Sequence, residues 1–337
     1  MQPEAQNGGS ASPAERGETP TSEGQPRPQA LPLASGELPY GSVLNGSGTF
    51  DPIAAHRTFG DTMLESFPFE AFVSKTITLA PRTGNAPPRL WETPAGLINS
   101  IGLPNKGLHA FLDDDFPFLA GLPVPLVVSV MGFDHDQLAE LVRAVGEREE
   151  TEAIELNFSC PNVDTGLIMG ADPGEIAAAL RVLRPLTEKP LIAKLTPTAP
   201  DQAAVAAAAA EAGADALSLI NTLPGMALDP VSGRQWLGAG RGGQSGPAVR
   251  AVALNQVNEV ARATGLPVIG MGGVTCGRDA ADFLRAGATC VAVGTETFRD
   301  PAAGVRVRTE LVGVREAMGP DRRAAATSSG DASAGDH

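Results

Sequence analysis

The chain has 337 residues, 42% hydrophobic and 19% charged, with a mean hydropathy of -0.01; this is an ordinary globular composition, long enough for one large or two medium domains. Lys+Arg number 25 against 39 Asp+Glu, a formal charge of -14, and aromatics are only 4%, so a phosphate backbone is repelled, stacking platforms are few, and nucleic acid is excluded as a partner. The longest apolar stretch is the alanine run from Ala203 to Ala210, closed by Glu211, far short of the roughly 20 residues of a spanning helix, and no membrane segment is expected.

Residues 1–30 contain no Val, Ile, Leu, Phe, Tyr or Trp. Such a segment cannot bury enough apolar area to offset its ordering entropy, and it is read as a disordered tail. It has neither the basic start and apolar run of a secretory signal nor the acid-poor composition of a transit peptide. Residues 319–337 read the same way, which leaves 31–318 as a single folded domain. Within it, short apolar or β-branched runs alternate with helical patterns. The runs are Ser42–Leu44, Ala71–Thr76, Leu126–Val130, Ala153–Leu156, Leu191–Leu195, Ala216–Ile220, Val268–Gly270 and Cys290–Val293. Asp134 precedes Leu138, Leu141, Val142 and Val145, which share one helical face. Asp172-Pro173 and Asp300-Pro301 read as N-cap and first-turn pairs, and Gly213, Gly265 and Gly287 stand where the left-handed residue after a helix belongs. The stretches from Ala212 to Asn221 and from Ala286 to Thr295 repeat one pattern of helix end, tight loop and buried strand. Eight such units predict an α/β fold, the (β/α)8 TIM barrel. The competitor is an open doubly wound sheet, which would usually carry a glycine fingerprint after its first strand, where this chain has only Asn45-Gly-Ser-Gly-Thr49.

Barrel chemistry sits on the loops after the strands, and there this chain is polar. Ser47 follows the first run, Lys75 lies on the second, Ser129 on the third, Asn157 after the fourth and Lys194 on the fifth. Asn221-Thr222, Gly272-Gly273 and Gly294-Thr295 follow the sixth, seventh and eighth. A lysine within Leu191-Ile-Ala-Lys-Leu195 costs too much to bury alone, so it needs either a barrel carboxylate or an anionic ligand. Two strand-borne lysines at one mouth favour the ligand. Glycine pairs ending adjacent last strands suit a phosphate held on backbone N–H groups, although a Gly-Gly pair by itself is common in turns. A third glycine-rich loop, Gly238 to Gly246, reads as a mobile cover or a close-approach surface, or blandly as a long surface loop.

The cysteines are three, widely spaced, and spell neither a disulfide framework nor a CxxC site, as suits a reducing cytoplasm. Cys290 reads as a small core hydrophobe, and Cys276 has no polar company. Cys160, in Glu155-Leu-Asn-Phe-Ser-Cys-Pro-Asn162, is different: it follows the fourth run among amide side chains, where a thiolate can act as base or nucleophile. None of the four histidines ends a strand, so neither a histidine proton shuttle nor a metal centre is expected.

Taken together, Asn157-Phe-Ser-Cys-Pro-Asn162, Val73-Ser-Lys75-Thr76, Ala193-Lys194-Leu195-Thr-Pro197, Asn99-Ser-Ile-Gly-Leu103-Pro-Asn105, Ile220-Asn221-Thr222-Leu-Pro-Gly-Met226, Gly243-Gln-Ser-Gly246-Pro247 and Gly270-Met-Gly272-Gly273 resemble class 1 dihydroorotate dehydrogenase, above all its B-type catalytic subunit. The resemblance spans nearly all of the chain between the tails. It implies an FMN-dependent barrel that oxidises dihydroorotate to orotate in pyrimidine synthesis, with Cys160 as the base. It further implies substrate contacts from Lys75, Asn99, Ser100, Ile101, Gly102, Leu103, Asn157, Asn162, Asn221 and Thr222. Ser47, Lys75, Thr76, Ser129, Asn157, Lys194, Ile220, Gly246, Gly272, Gly273, Gly294 and Thr295 would hold FMN, its phosphate on the last four. A homodimer is implied, with a separate electron-transfer subunit carrying FAD and a [2Fe–2S] cluster; the A-type habit of using fumarate stays open. The chain departs from the family at Ser129, where asparagine is usual, at Asp164, where B-type enzymes often have lysine in a loop one residue longer, and at Gly46, where alanine usually precedes the serine. Two other readings are another flavin barrel acting on a dihydropyrimidine, and a flavin-free Schiff-base lyase or aldolase using Lys75 or Lys194.

Overall fold

Eight parallel strands organise the molecule, and the computed structural model describes residues 30–159 and 169–317 around them. The strands are β1 Val43–Asn45, β2 Phe72–Val73, β3 Leu126–Val130, β4 Thr151–Asn157, β5 Leu191–Lys194, β6 Ala216–Leu219, β7 Val268–Met271 and β8 Cys290–Val293. Each pairs in parallel with the next around the sheet, β8 pairs with β1, and a parallel bridge between Leu44 and Ala71 closes β1 onto β2. All eight expected runs are strands of one (β/α)8 TIM barrel. The second is shorter than 71–76, because the Ser129 N–H donates to the Ser74 hydroxyl instead of to backbone, interrupting the ladder until Ile77 N–H reaches the Ser129 carbonyl.

The outer ring comprises α1 Pro52–Phe59, α2 Phe116–Ala120, α3 His135–Gly146, α4 Pro173–Leu183, α5 Gln202–Glu211, α6 Arg250–Thr264, α7 Gly277–Ala286 and α8 Ala303–Ala317. Asp51, Asp134, Asp172 and Asp201 cap α1, α3, α4 and α5, each carboxylate accepting an N–H three residues on. Asp300 accepts the Ala302 N–H at 2.9 Å, and α8 begins just beyond. Gly213, Gly265 and Gly287 have φ of 103°, 65° and 112°, the left-handed conformation the sequence called for.

Strand alternation sorts two cores. Outward residues such as Val128, Ile154, Leu191, Ala193, Leu217, Leu219, Val291 and Val293 pack under the helices. Inward residues Val127, Ala153, Ile192, Ala216, Cys290 and Ala292 fill the barrel, and with them cluster Leu31, Leu33 and Leu38. These three leucines come from a feature not anticipated from the sequence, an antiparallel hairpin of Leu31–Leu33 with Gly36–Leu38. The Ala34 N–H donates to the Glu152 carbonyl and the Ser35 N–H to its carboxylate, each at 2.8 Å. Both bonds lie at the amino end of β4, so the hairpin stoppers the floor of the barrel.

A second unanticipated feature roofs the opposite end. Leu223–Gly225, Gly242–Ser245, Gly96–Asn99 and Leu90–Thr93 form a four-stranded antiparallel sheet. The glycine-rich run 238–246 is therefore partly a strand and not a loop throughout. It is a close-approach surface: a Cβ at Gly242 would overlap the Asn99 carbonyl, and one at Gly243 would overlap the Thr222 hydroxyl.

The plug yields a stability prediction. Leu31 is fully buried, and truncating such a leucine typically removes about 2–5 kcal/mol. Leu31→Ala is expected to lower the urea midpoint, followed by far-ultraviolet circular dichroism, by an amount in that range; an unchanged midpoint would show that the hairpin is not part of the cooperative core.

Candidate active site

At the carboxyl ends of the strands the inward positions change character. Two residues beyond the apolar Val127, Ala153, Ile192 and Ala216 stand Ser129, Glu155, Lys194 and Ser218, all buried and polar. A carboxylate withdrawn from water costs several kcal/mol unless its oxygens are satisfied, and Glu155 is satisfied three times. Its Oε1 accepts from Ser129 Oγ at 3.0 Å and from Lys194 Nζ at 3.4 Å, and its Oε2 accepts from Ser218 Oγ at 3.0 Å. The chain of hydroxyls continues from Ser129 to Thr76 at 2.9 Å and from Thr76 to Ser47 at 3.0 Å, while Asn157 Nδ2 donates to Thr76 Oγ1 at 3.3 Å. The barrel carboxylate that the sequence left open to Lys194 is Glu155.

Lys75 has no such carboxylate. It is exposed at the rim, its ammonium makes no hydrogen bond or ion pair to another described residue, and desolvation lowers its pKa, offset in part by the charge of Asp51. Cys290, by contrast, is sealed inside β8, where burial pushes its thiol up to about 12; it is an inert core residue, as the sequence suggests. Cys276 stands at the amino end of α7.

Above the polar layer, three loops converge. Asn221 Nδ2 donates to Ser159 Oγ at 2.6 Å, the Thr222 N–H returns to Asn221 Oδ1 at 2.8 Å, and the Ser159 N–H donates to Asn157 Oδ1 at 3.3 Å. Asn99 Nδ2 reaches the Gly243 carbonyl across the roof sheet at 3.2 Å. The run Ser100-Ile101-Gly102-Leu103 is braced from outside. Asn85 Nδ2 donates to Ser100 Oγ at 3.0 Å, the Asn85 N–H to the Ile101 carbonyl at 3.0 Å, and Asn105 Nδ2 to the Leu103 carbonyl at 2.9 Å. Gly102 and Leu103 have φ of 74° and 52°, and Leu103 is the sole non-glycine with positive φ among the described residues. A leucine held there costs on the order of 1 kcal/mol, strain of the kind that gathers at ligand sites.

The last two strands end in a glycine cradle. Gly272 and Gly273 have φ of 126° and 83°, and a Cβ on Gly273 would stand 2.8 Å from the Gly246 carbonyl and 3.1 Å from Pro247 Cα. Gly246, φ 91°, immediately precedes the turn that opens α6, and Gly294 precedes a single turn starting at Thr295. Thr295 Oγ1 donates to Ser245 Oγ at 2.8 Å, tying β8 to the roof. Gly246, Gly272 and Gly273 carry positive φ, and Gly246 and Gly294 each precede a helical turn; backbone N–H groups in such a setting suit an anion such as phosphate.

The expected residues Ser47, Thr76, Ser129, Asn157 and Lys194 thus belong to one hydrogen-bonded network. Asn99, Asn221 and Thr222 are joined to the roof and to Ser159, and Gly246, Gly272, Gly273, Gly294 and Thr295 form the cradle. Ile220 packs against Gly272, where a Cβ would come within 3.1 Å of its Cγ1. Cys160 and Asn162 lie outside the described residues, as does Asp164. Sequence reasoning missed Glu155, Ser218, Ser245 and Asn85. Glu155 alone left a signal, a charge two positions before Asn157 within the otherwise apolar run Ala153–Leu156. Among the described residues no group of three or more His, Cys, Asp and Glu is placed to hold a metal, and no helix is long and apolar enough to cross a membrane.

Comparison with known proteins fits this geometry. The family model described as dihydroorotate dehydrogenase matches residues 44–314. The chain is 42% identical over 286 residues to the dihydroorotate dehydrogenase B (NAD(+)) catalytic subunit of Geobacter sp. (strain M21), covering 85% of this chain and 92% of that protein. It is 48% identical over 242 residues to the protein of the same name from Desulforudis audaxviator (strain MP104C), covering 72% and 79%. Among solved structures, DHODH from Eimeria tenella in complex with ferulenol superposes with a TM-score of 0.64 at 23% identity, covering 82% of each chain, a likeness of fold.

The cradle makes its own prediction. Gly273→Ala must place a Cβ on a left-handed residue against the Gly246 carbonyl, a strain of about 1–3 kcal/mol. A fall of that size in unfolding free energy by urea titration is expected, and a neutral substitution would mean that the cradle backbone can relax.

Proposed function

The chain belongs to the dihydroorotate dehydrogenase family, and from that premise we propose that it is the FMN-binding catalytic subunit of a B-type enzyme, oxidising (S)-dihydroorotate to orotate in pyrimidine synthesis. The observation that carries the reading is the 48% identity to a B-type catalytic subunit over 242 residues. Polar strand ends and a glycine cradle in one barrel mouth support it.

Gly272, Gly273, Gly294 and Thr295 are assigned the phosphate of FMN, with Gly246 beside them in the cradle, and Ser47, Lys75, Thr76, Ser129, Asn157, Lys194 and Ile220 are assigned its ring. When bound, FMN supplies a two-electron acceptor. The chain's own part is to orient the substrate and take its proton. Asn99, Asn157, Asn162, Asn221, Thr222 and the 100–103 segment present amide and backbone donors and acceptors to a planar ring rich in both. Lys75, whose ammonium pairs with no carboxylate among the described residues, is suited to an anionic group on the ligand. Cys160 follows Ser159, whose hydroxyl is held by Asn221, and its Sγ is assigned the proton removed from C5 of the substrate. The lowered pKa of Lys75 would also suit a Schiff-base lysine, but the relatives are oxidoreductases. The relatives' designation as NAD(+)-linked catalytic subunits supports a partner subunit that carries electrons onward through FAD and a [2Fe–2S] cluster. Such a cluster needs about four cysteine ligands, and this chain has three cysteines in all. A homodimer in the cytoplasm completes the assignment.

Purified protein is expected to be yellow and to release FMN; released FAD would sink the reading. Cys160→Ala is expected to retain flavin while anaerobic bleaching by dihydroorotate slows by ~100-fold or more, the scale of a lost general base. Unchanged bleaching would place the base elsewhere.

A second assay addresses where electrons leave. The chain alone, given dihydroorotate, is expected to reduce a dye that can reach the flavin and to reduce NAD poorly. Brisk NAD reduction without a partner would refute the assignment, and brisk fumarate reduction would move the protein to the A type.

A further inference from the structure

Glu155 has no part in the reaction as assigned, yet at 1% exposure it is the most deeply buried acidic or basic side chain among the described residues. Stability does not account for it. Replacing a buried ion pair by apolar side chains of similar volume is often neutral or stabilising, and the layer directly beneath, Ala153, Ile192 and Ala216, is already apolar. What sets Glu155 apart is its neighbours. Ser129 and Lys194 touch it, and Thr76 lies one hydrogen bond further, with Ser47 and Asn157 on Thr76. All five are residues assigned above to FMN, so one carboxylate anchors a whole side of the proposed ring site.

The geometry points to Glu155 as a positioning residue that fixes the Lys194 ammonium and cancels most of its charge, thereby holding the reduction potential of bound FMN below the value an unpaired lysine would impose. This inference rests on the assignment of FMN and Lys194 made above. The physical reason is Coulombic. Reduction adds negative charge to a flavin, an adjacent cation stabilises that charge, and inside a protein such an interaction is much stronger than in water. A counter-ion fixed at 3.4 Å removes most of the net charge, and Ser218, donating to the far oxygen, keeps the carboxylate turned toward the lysine.

The test compares FMN-loaded enzyme with Glu155→Gln, which keeps the shape and an acceptor but removes the charge. The potential of bound FMN is expected to rise by about 30 mV or more, a tenfold change in a two-electron reduction constant. Sulfite, a probe of how well the site stabilises negative charge on a flavin, is expected to bind tenfold more tightly or better. A merely structural glutamate would shift the melting temperature and leave both readouts in place, and that result overturns the proposal. Should Glu155→Gln fail to retain FMN, the double variant Glu155→Gln with Lys194→Gln removes both charges and leaves none unpaired. Its potential is expected to stay within a threefold change in reduction constant of wild type. A tenfold fall would show that the lysine charge acts on FMN uncancelled, and failure of both variants to hold FMN would make the pair structural; either overturns the proposal. A wild-type chain without flavin would instead overturn the parent assignment.

Discussion

A carboxylate with almost no access to water sits inside this barrel, and the arrangement of the strand ends follows from the need to satisfy it. Parallel register brings Ser129 opposite Glu155, and Ser218 opposite Lys194, so three strands present their polar inward residues to one carboxylate on a fourth. Loss of either charge alone would strand its partner in the interior, at a cost of about 3–5 kcal/mol. The pair therefore locks the relative heights of β3, β4, β5 and β6, and with them the positions of the loops that build the mouth.

The rest of the barrel divides around that layer. Below it, the small inward residues Ala71, Ala153, Ala216 and Ala292 alternate with larger ones such as Val127, Ile192 and Ile269, and three leucines of the hairpin complete that cluster. Above it, side-chain bulk is withdrawn instead: glycines at 242, 243 and 246 let the roof sheet lie directly on its neighbours. Barrels commonly place stability at the amino face and chemistry at the carboxyl face. Here the same backbone achieves both by filling one end with leucine and clearing the other with glycine.

The eight strands were legible because parallel strands covered on both faces read as near-continuous apolar runs between helical patterns. The hairpin was not, since Leu-Pro-Leu and Gly-Glu-Leu are too short to show a period, and the hairpin gains its burial from distant strands. The roof strand 242–245 was not either, because two of its four residues have no side chain with which to alternate. At the site, the glycine pairs and polar strand ends announced themselves by position. The partner of Lys194 did not: Glu155 lies 39 residues away, and only register brings the two together. Asn85 and Ser245 act through contacts with loops remote in sequence, for which no local pattern exists.

The roof has a last consequence. The chain has two tryptophans, and both lie there: Trp91 and Trp236 meet edge to face at 5.1 Å between centroids, with the Trp236 indole N–H donating to the Leu90 carbonyl at 3.2 Å. The barrel and its helices contain none. Intrinsic tryptophan fluorescence of this protein is accordingly a local signal, reporting whether the sheet over the mouth is seated and saying nothing directly of the eight strands beneath it.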